Sequence, residues 1–214
     1  MDVDAADLVA ILDRAGIVAF AISGVEVGAR RRLDVFGLLV MGVVTATGGG
    51  LMRDLVLVRL PFVIDHADYL LWAGGSAALA IAVVALNRRI SRTVLAVADA
   101  AGLGAFAVAG ALAGIEARLD VPAIVLLAIL TGTGGGVLRD LMADRVPLVL
   151  RSEINATAAA IGGLTVWAIE PVSVGLAALA GATVAAMVRV GGIAFDINLP
   201  VPGLRRGAKQ RRLL

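Results

Sequence analysis

Apolar stretches of about 20 residues recur along the whole chain, separated by short gaps that carry most of its arginines, aspartates and prolines. A helix of that length spans a hydrocarbon core of roughly 30 Å. The pattern predicts seven helices at about 8–28, 34–58, 69–87, 93–114, 121–143, 154–169 and 173–190. The fold class expected is an all-α integral membrane protein: one transmembrane domain over 1–190 and a basic cytoplasmic tail over 191–214. The gaps leave no room for a separate soluble domain.

The polar gaps alternate in charge. Arg30, Arg31 and Arg32 follow the first span, Arg88, Arg89 and Arg92 the third, Arg145 and Arg151 the fifth, and Arg205 to Arg212 the seventh. Basic loops stay cytoplasmic, so the N-terminus is expected outside and the C-terminus inside. The opposite gaps are poorer in basic residues, with Arg59 and Arg118 as exceptions, and Tyr69, Trp72 and Trp167 fall where aromatic rings favour the outer boundary. The acidic start "MDVDAADLVA" is unlike a secretory leader, and the first span is expected to be retained.

Residues 8–64 align without a gap on 94–150 at a constant offset of 86, with about two positions in five identical. The matches include Asp13 with Asp99, Gly16 with Gly102, Phe20 with Phe106, Gly24 with Gly110, Gly28 with Gly114 and Pro61 with Pro147. Shared hydrophobicity does not align polar residues and glycines in this way. Each unit holds three spans, repeat one at about 8–87 and repeat two at about 93–169, with the seventh helix at about 173–190. An odd span count inverts the second unit, the plan of many transporters and some channels.

The repeat's most unusual segments are "TATGGGLMRDL" from Thr45 and "TGTGGGVLRDL" from Thr131. Each glycine costs a helix about 1 kcal/mol relative to alanine, so Gly48, Gly49 and Gly50, and likewise Gly134, Gly135 and Gly136, are expected to bend or break their helices. Opened backbone is tolerated in a bilayer only where protein or water covers it. A broken helix would present carbonyls beside Thr45, Thr47, Thr131 and Thr133, suited to a cation, and amides beside Asp54 and Asp140. Arg53 and Arg139 need partners at such depth, for which Asp13 and Asp99 are candidates. The plainer reading is close helix crossing with structural ion pairs. Phe20 and Phe106 are candidates for a paired hydrophobic gate, the Gly24 to Gly28 and Gly110 to Gly114 stripes read as packing, and His66 beside Asp65 and Asp68 reads as a solvated loop.

Composition sharpens this picture. The chain is 60% hydrophobic and 17% charged, with mean hydropathy +0.96, far above the apolar share of about 45 to 50% in soluble domains. Its net charge is +2 and its pI about 9.9. Because the arginines sit in loops and in "GLRRGAKQRRLL", anionic lipid is the expected partner and nucleic acid is not. Cysteine is absent, and no nucleophile with a base, metal-ligand set, phosphate loop or cofactor motif is evident. An enzyme is not expected.

The doubled motif, the three-plus-three-plus-one plan and the length closely resemble the bacterial branch of the trimeric intracellular cation channels, over residues 8–190. The resemblance implies seven spans, a symmetric homotrimer in a bacterial inner membrane, and a pore inside each protomer lined by broken second and fifth spans. It implies passive conduction of monovalent cations, chiefly potassium. The implied pore-lining positions are the two glycine triplets with the neighbouring threonines and Arg-Asp pairs. Animal members carry a lysine-based signature and bind inositol lipid, whereas this chain has arginines in RD pairs. Bacterial relatives are also described as glycine transporters, so the alternative is a small-solute carrier working by alternating access.

Overall fold

The computed structural model describes residues 5–86, 91–150 and 154–195. Arg88, Arg89, Arg151 and the tail beyond 195 lie outside the described residues. The helices are α1 (Ala5–Arg30), α2 (Val35–Val56), α3 (Phe62–Asp65), α4 (Ala67–Ala85), α5 (Arg92–Glu116), α6 (Val121–Met142), α7 (Ile154–Ile169) and α8 (Val174–Ala194), with a 3₁₀ turn at Leu148–Leu150. The seven expected helices are present with ends shifted by a few residues. The one-turn α3 and the 3₁₀ turn were not expected, and α8 runs four residues past its expected end. Six helices are long and apolar enough to cross a membrane, whereas α7 is apolar but has 16 residues, about 24 Å of helix.

Local sequence explains the helix starts. Asp34 accepts from the Gly37 amide at 2.7 Å, Ser91 from Val94 at 3.2 Å and Ser173 from Leu176 at 3.3 Å, each satisfying an otherwise orphaned donor. Asp120 precedes α6 without such a bond, and proline stands in the first turn instead.

The offset of 86 read from the sequence recurs in the backbone. Among the described residues, the non-glycine positions with positive φ are Arg32 (59°), Arg118 (54°), Val58 (53°) and Asp144 (50°), which form two pairs at that spacing. Leu33 donates to the Gly28 carbonyl at 3.2 Å and Leu119 to Gly114 at 3.0 Å; Arg59 donates to Asp54 at 3.0 Å and Arg145 to Asp140 at 2.8 Å. The turns after α1 and α5, and after α2 and α6, therefore share their hydrogen bonding.

Two antiparallel crossings form the centre. In the first, α1 packs on α5, with Phe106 against Gly16 and Phe20 against Gly102. In the second, α2 packs on α6, with Gly49 against the Thr131 carbonyl and Gly135 against the Thr45 carbonyl. A side chain at Gly49 or Gly135 would collide with backbone oxygen, so these positions require glycine. On one side α4 packs against α1 and α2; on the other α7 packs against α5 and α6. α8 lies against α5 and α7, where a Cβ on Gly104 would stand 2.6 Å from the Ala182 carbonyl. Large apolar residues such as Leu71, Leu79, Trp72 and Trp167 face outward, the expected character of a surface in contact with lipid.

Two expectations need correction. The glycine triplets do not break their helices: α2 is continuous from Val35 to Val56 and α6 from Val121 to Met142. Close crossing replaces the break, because contact between backbones offsets the intrinsic cost of glycine. Tyr69 does not present its ring outward as Trp72 and Trp167 do. It is buried, with its ring edge against Phe62 at 4.8 Å between centroids.

Two charged cavities flanking the helix crossing

The triplets divide their work by position. Gly48 and Gly134 accommodate Leu138 and Met52 from the opposite repeat, and Gly49 and Gly135 make the backbone crossing. A Cβ on Gly50 would meet nothing closer than Arg53 Nη2 at 4.0 Å, and one on Gly136 nothing closer than Arg139 Nη2 at 3.7 Å. These third glycines keep space open.

That space belongs to two cavities. The first, of about 30 Å³, is lined by Asp13, Thr47, Gly50, Arg53, Asp54 and Tyr69, among others. The second, of about 20 Å³, is lined by Asp99, Thr133, Gly136, Arg139, Asp140 and Asn155 in addition to apolar residues. Since α1 is antiparallel to α5, and α2 to α6, the cavities open toward opposite ends of the bundle. Phe106 and Thr131 lie at the floor of the first, Phe20 and Gly132 at the floor of the second. The two phenylalanine rings meet edge to face, 5.2 Å apart and inclined at 68°, a favourable quadrupolar arrangement. They stand between the cavities, each seated on the glycine of the opposite helix.

The threonines are oriented by their own helices. Thr45 Oγ1 donates to the Met41 carbonyl at 2.6 Å, Thr47 to Val43 at 2.9 Å, Thr131 to Leu127 at 2.7 Å and Thr133 to Ile129 at 2.7 Å. Each hydroxyl proton is committed to the preceding turn, which leaves oxygen lone pairs as the group's remaining capacity. Thr47 and Thr133 direct that capacity to the cavities, while Thr45 is fully buried at the crossing.

Both arginines fold back on the next residue. Arg53 Nε donates to Asp54 Oδ1 at 2.8 Å and Nη2 to Oδ2 at 3.2 Å; Arg139 Nε donates to Asp140 Oδ1 at 3.0 Å. Asp54 also accepts from Arg59 Nε at 2.8 Å and from the Phe62 amide at 2.7 Å. Asp140 accepts from the Leu148 amide at 2.9 Å. The short α3 and the 3₁₀ turn thus supply equivalent amides to equivalent carboxylates. With these bonds the buried guanidinium charges are compensated.

The expected pairing with the first-span aspartates holds on one side. Arg139 Nη1 donates to Asp99 at 3.2 Å and to Ser23 Oγ at 2.7 Å. Asp13 forms no ion pair with Arg53 within 4.0 Å among the described residues, although both line the first cavity. Arg59 instead bridges from Asp54 toward Glu116, at 3.7 Å. His66 stacks on Phe62 at 3.9 Å between centroids, with Asp65 3.7 Å away.

Sequence reading missed Arg59, Ser23, Asn155 and Arg189. Arg59 was legible as the repeat partner of Arg145. Arg189 was legible as an arginine inside an apolar span; it is buried and lies 3.6 Å from Asp99. Ser23 carried no signal, because its repeat counterpart is Ala109.

Comparison with known proteins accords with this geometry. A family model described as glycine transporter matches twice, over residues 10–86 and 96–171. The UPF0126 inner membrane protein YadS of Escherichia coli is 39% identical, covering 90% of this chain and 95% of that protein. A UPF0126 membrane protein of Deinococcus radiodurans is 43% identical over 75% of each. Among solved structures, a prokaryotic TRIC channel in 0.5 M KCl superposes with TM-score 0.82 at 31% identity, covering 89% of this chain and 98% of that one. A TRIC trimeric intracellular cation channel orthologue from Rhodobacter sphaeroides gives TM-score 0.80 at 32% identity, covering 88% and 98%.

Proposed function

The chain belongs to the bacterial branch of the trimeric intracellular cation channel family, and on that premise we propose that it is a passive channel for monovalent cations, potassium above all. The observation that carries this reading is the pair of charged cavities meeting at the Phe20 and Phe106 rings. A cation entering either cavity meets threonine oxygens and carboxylates whose neighbouring arginines are already compensated. Thr47, Gly50, Arg53 and Asp54 line one half of the pore; Thr133, Gly136, Arg139 and Asp140 line the other. The remaining triplet glycines and Thr45 and Thr131 shape the crossing between them, and the two phenylalanines form the barrier that must move for ions to pass.

The same reading takes α7 as the sixth of seven spans, places the two repeats in opposite orientations with the N-terminus outside, and assembles three copies with one pore in each. Its setting is a bacterial inner membrane, with anionic lipid against the basic tail. No ring of filter carbonyls is implied by continuous helices, so selectivity for potassium over sodium is modest. The carrier alternative loses its main physical support with those continuous helices, since no helix ends are exposed at midplane to hold a zwitterion.

Purified protein in a planar bilayer tests the proposal. Discrete unitary currents whose reversal potential follows a potassium gradient are expected. Absence of current together with saturable uptake of labelled glycine into liposomes would replace the channel with a carrier.

A further inference from the structure

The two ends of the bundle carry matching charges at their centres, and α8 adds one more at the second. In the first cavity and its rim, Asp13, Arg53, Asp54 and Arg59 sum to zero, and Glu116 adds a negative charge beside Arg59. Their repeat counterparts, Asp99, Arg139, Asp140 and Arg145, also sum to zero. There the counterpart of Glu116 is Arg30, whose charge is taken up by Glu26 at 3.0 Å. Arg14 with Asp68 at the first end and Arg31 with Asp144 at the second lack counterparts but add no net charge; the buried Arg189 on α8 has no counterpart and adds one.

Arg189 stands behind the wall of the second cavity. Its Nη2 lies 3.6 Å from Asp99 Oδ2, while Asp99 Oδ1 accepts from Arg139 at 3.2 Å. Asp99 is therefore divided between two guanidinium groups. Arg189 is 6% exposed, and among the described residues its Nε has no hydrogen-bond partner, nor does Oδ1 of neighbouring-helix Asn155. A buried charge that shares the one carboxylate it has among the described residues is incompletely neutralised, and its field acts on the cavity that Asp99 lines.

We propose that Arg189 is a positioning and charge-setting residue of the second vestibule, making it electropositive relative to the first, so that cation current flows more readily from the Asp13 end to the Asp99 end than in reverse. The inference rests on the channel reading above. Excess positive charge lowers the cation concentration in the vestibule from which reverse current is drawn, whereas Glu116 raises it at the other end. One unit charge acting across roughly 10 Å of water changes local cation concentration by about twofold. At 1 M salt the Debye length shrinks to about 3 Å, and the asymmetry collapses.

The test is the single-channel current-voltage relation in symmetric potassium chloride. A Val63→Cys marker at the first cavity, blocked by a membrane-impermeant cationic thiol reagent from one chamber only, identifies which face is which. The wild-type protein is expected to rectify in the stated direction at 0.1 M and to approach a linear relation at 1 M. Arg189→Gln should lower the rectification ratio by about twofold and Arg189→Lys should retain it. Linear or oppositely rectifying wild-type current at 0.1 M overturns the inference while leaving the channel standing, and so does an unchanged ratio in Arg189→Gln. If Arg189→Gln does not assemble, the salt dependence of the wild-type ratio still decides. Complete absence of current overturns the channel reading and this inference together.

Discussion

Adjacent residues on a helix point about 100° apart, so Arg53 with Asp54, and Arg139 with Asp140, meet only because the long arginine side chain curls back along its own helix. The arrangement lets one carboxylate answer a buried guanidinium without reaching across the cavity. Asp54 accepts four hydrogen bonds, two from Arg53, one from Arg59 and one from the Phe62 amide. Asp54→Asn should therefore destabilise the protein by about 3 to 5 kcal/mol, the cost of stranding a buried charge, seen as a lowered thermal midpoint in detergent. Asp99→Asn spares Arg139, which keeps Asp140 and Ser23, but strands the buried Arg189, so a comparable loss is expected. The glycines offer a separate contrast. Gly49→Ala or Gly135→Ala drives a methyl into a backbone carbonyl and should cost about 1 to 3 kcal/mol. Gly50→Ala and Gly136→Ala meet open space, so stability should hold while unitary conductance falls. Equal thermal loss at all four positions would contradict this division of labour.

At the scale of the element, the hydropathy pattern located the helices well because burial in lipid demands long, uninterrupted apolar runs. It failed at the triplets for an identifiable reason. Intrinsic propensity counts what glycine costs an isolated helix, but Gly49 and Gly135 also admit a neighbouring backbone, and that tertiary contact outweighs the propensity. The short α3 and the 3₁₀ turn were illegible because neither carries a periodic signal; their role, presenting an amide to Asp54 and to Asp140, is visible only in three dimensions. Equivalent helix starts also differ in ways the repeat does not announce. Asp34→Ala removes a cap and should cost about 1 kcal/mol, whereas Asp120→Ala removes no side-chain bond at α6 and should be near neutral. Paired thermal melts of the two variants check this.

For the whole molecule, the doubled motif made the equivalence of α1 with α5 and of α2 with α6 legible, since residues that repeat at a fixed offset have to be placed equivalently. Which pairs would touch was only half legible. The expected Asp99 contact with Arg139 exists, while Asp13 lies without an ion pair to Arg53, because Tyr69, Phe62 and Arg59 occupy the first cavity differently from their counterparts. Assembly belongs to this scale too: crosslinking in native lipid should yield a trimer as the largest abundant species, and a stable monomer in lipid and mild detergent would count against three-fold assembly.

α8 changes what kind of object the chain is. Two similar three-helix units set head to tail form a body that looks nearly the same when turned over, and such a body contains little information about which way up it should be inserted. By packing mainly against the second unit, with a smaller contact to α1, α8 makes the two faces of that body unequal, and the basic segment that follows it in sequence adds to the difference. Truncation after Ile169 should therefore leave molecules in both orientations, detectable with reporters fused to each terminus, whereas the full-length form is expected in one.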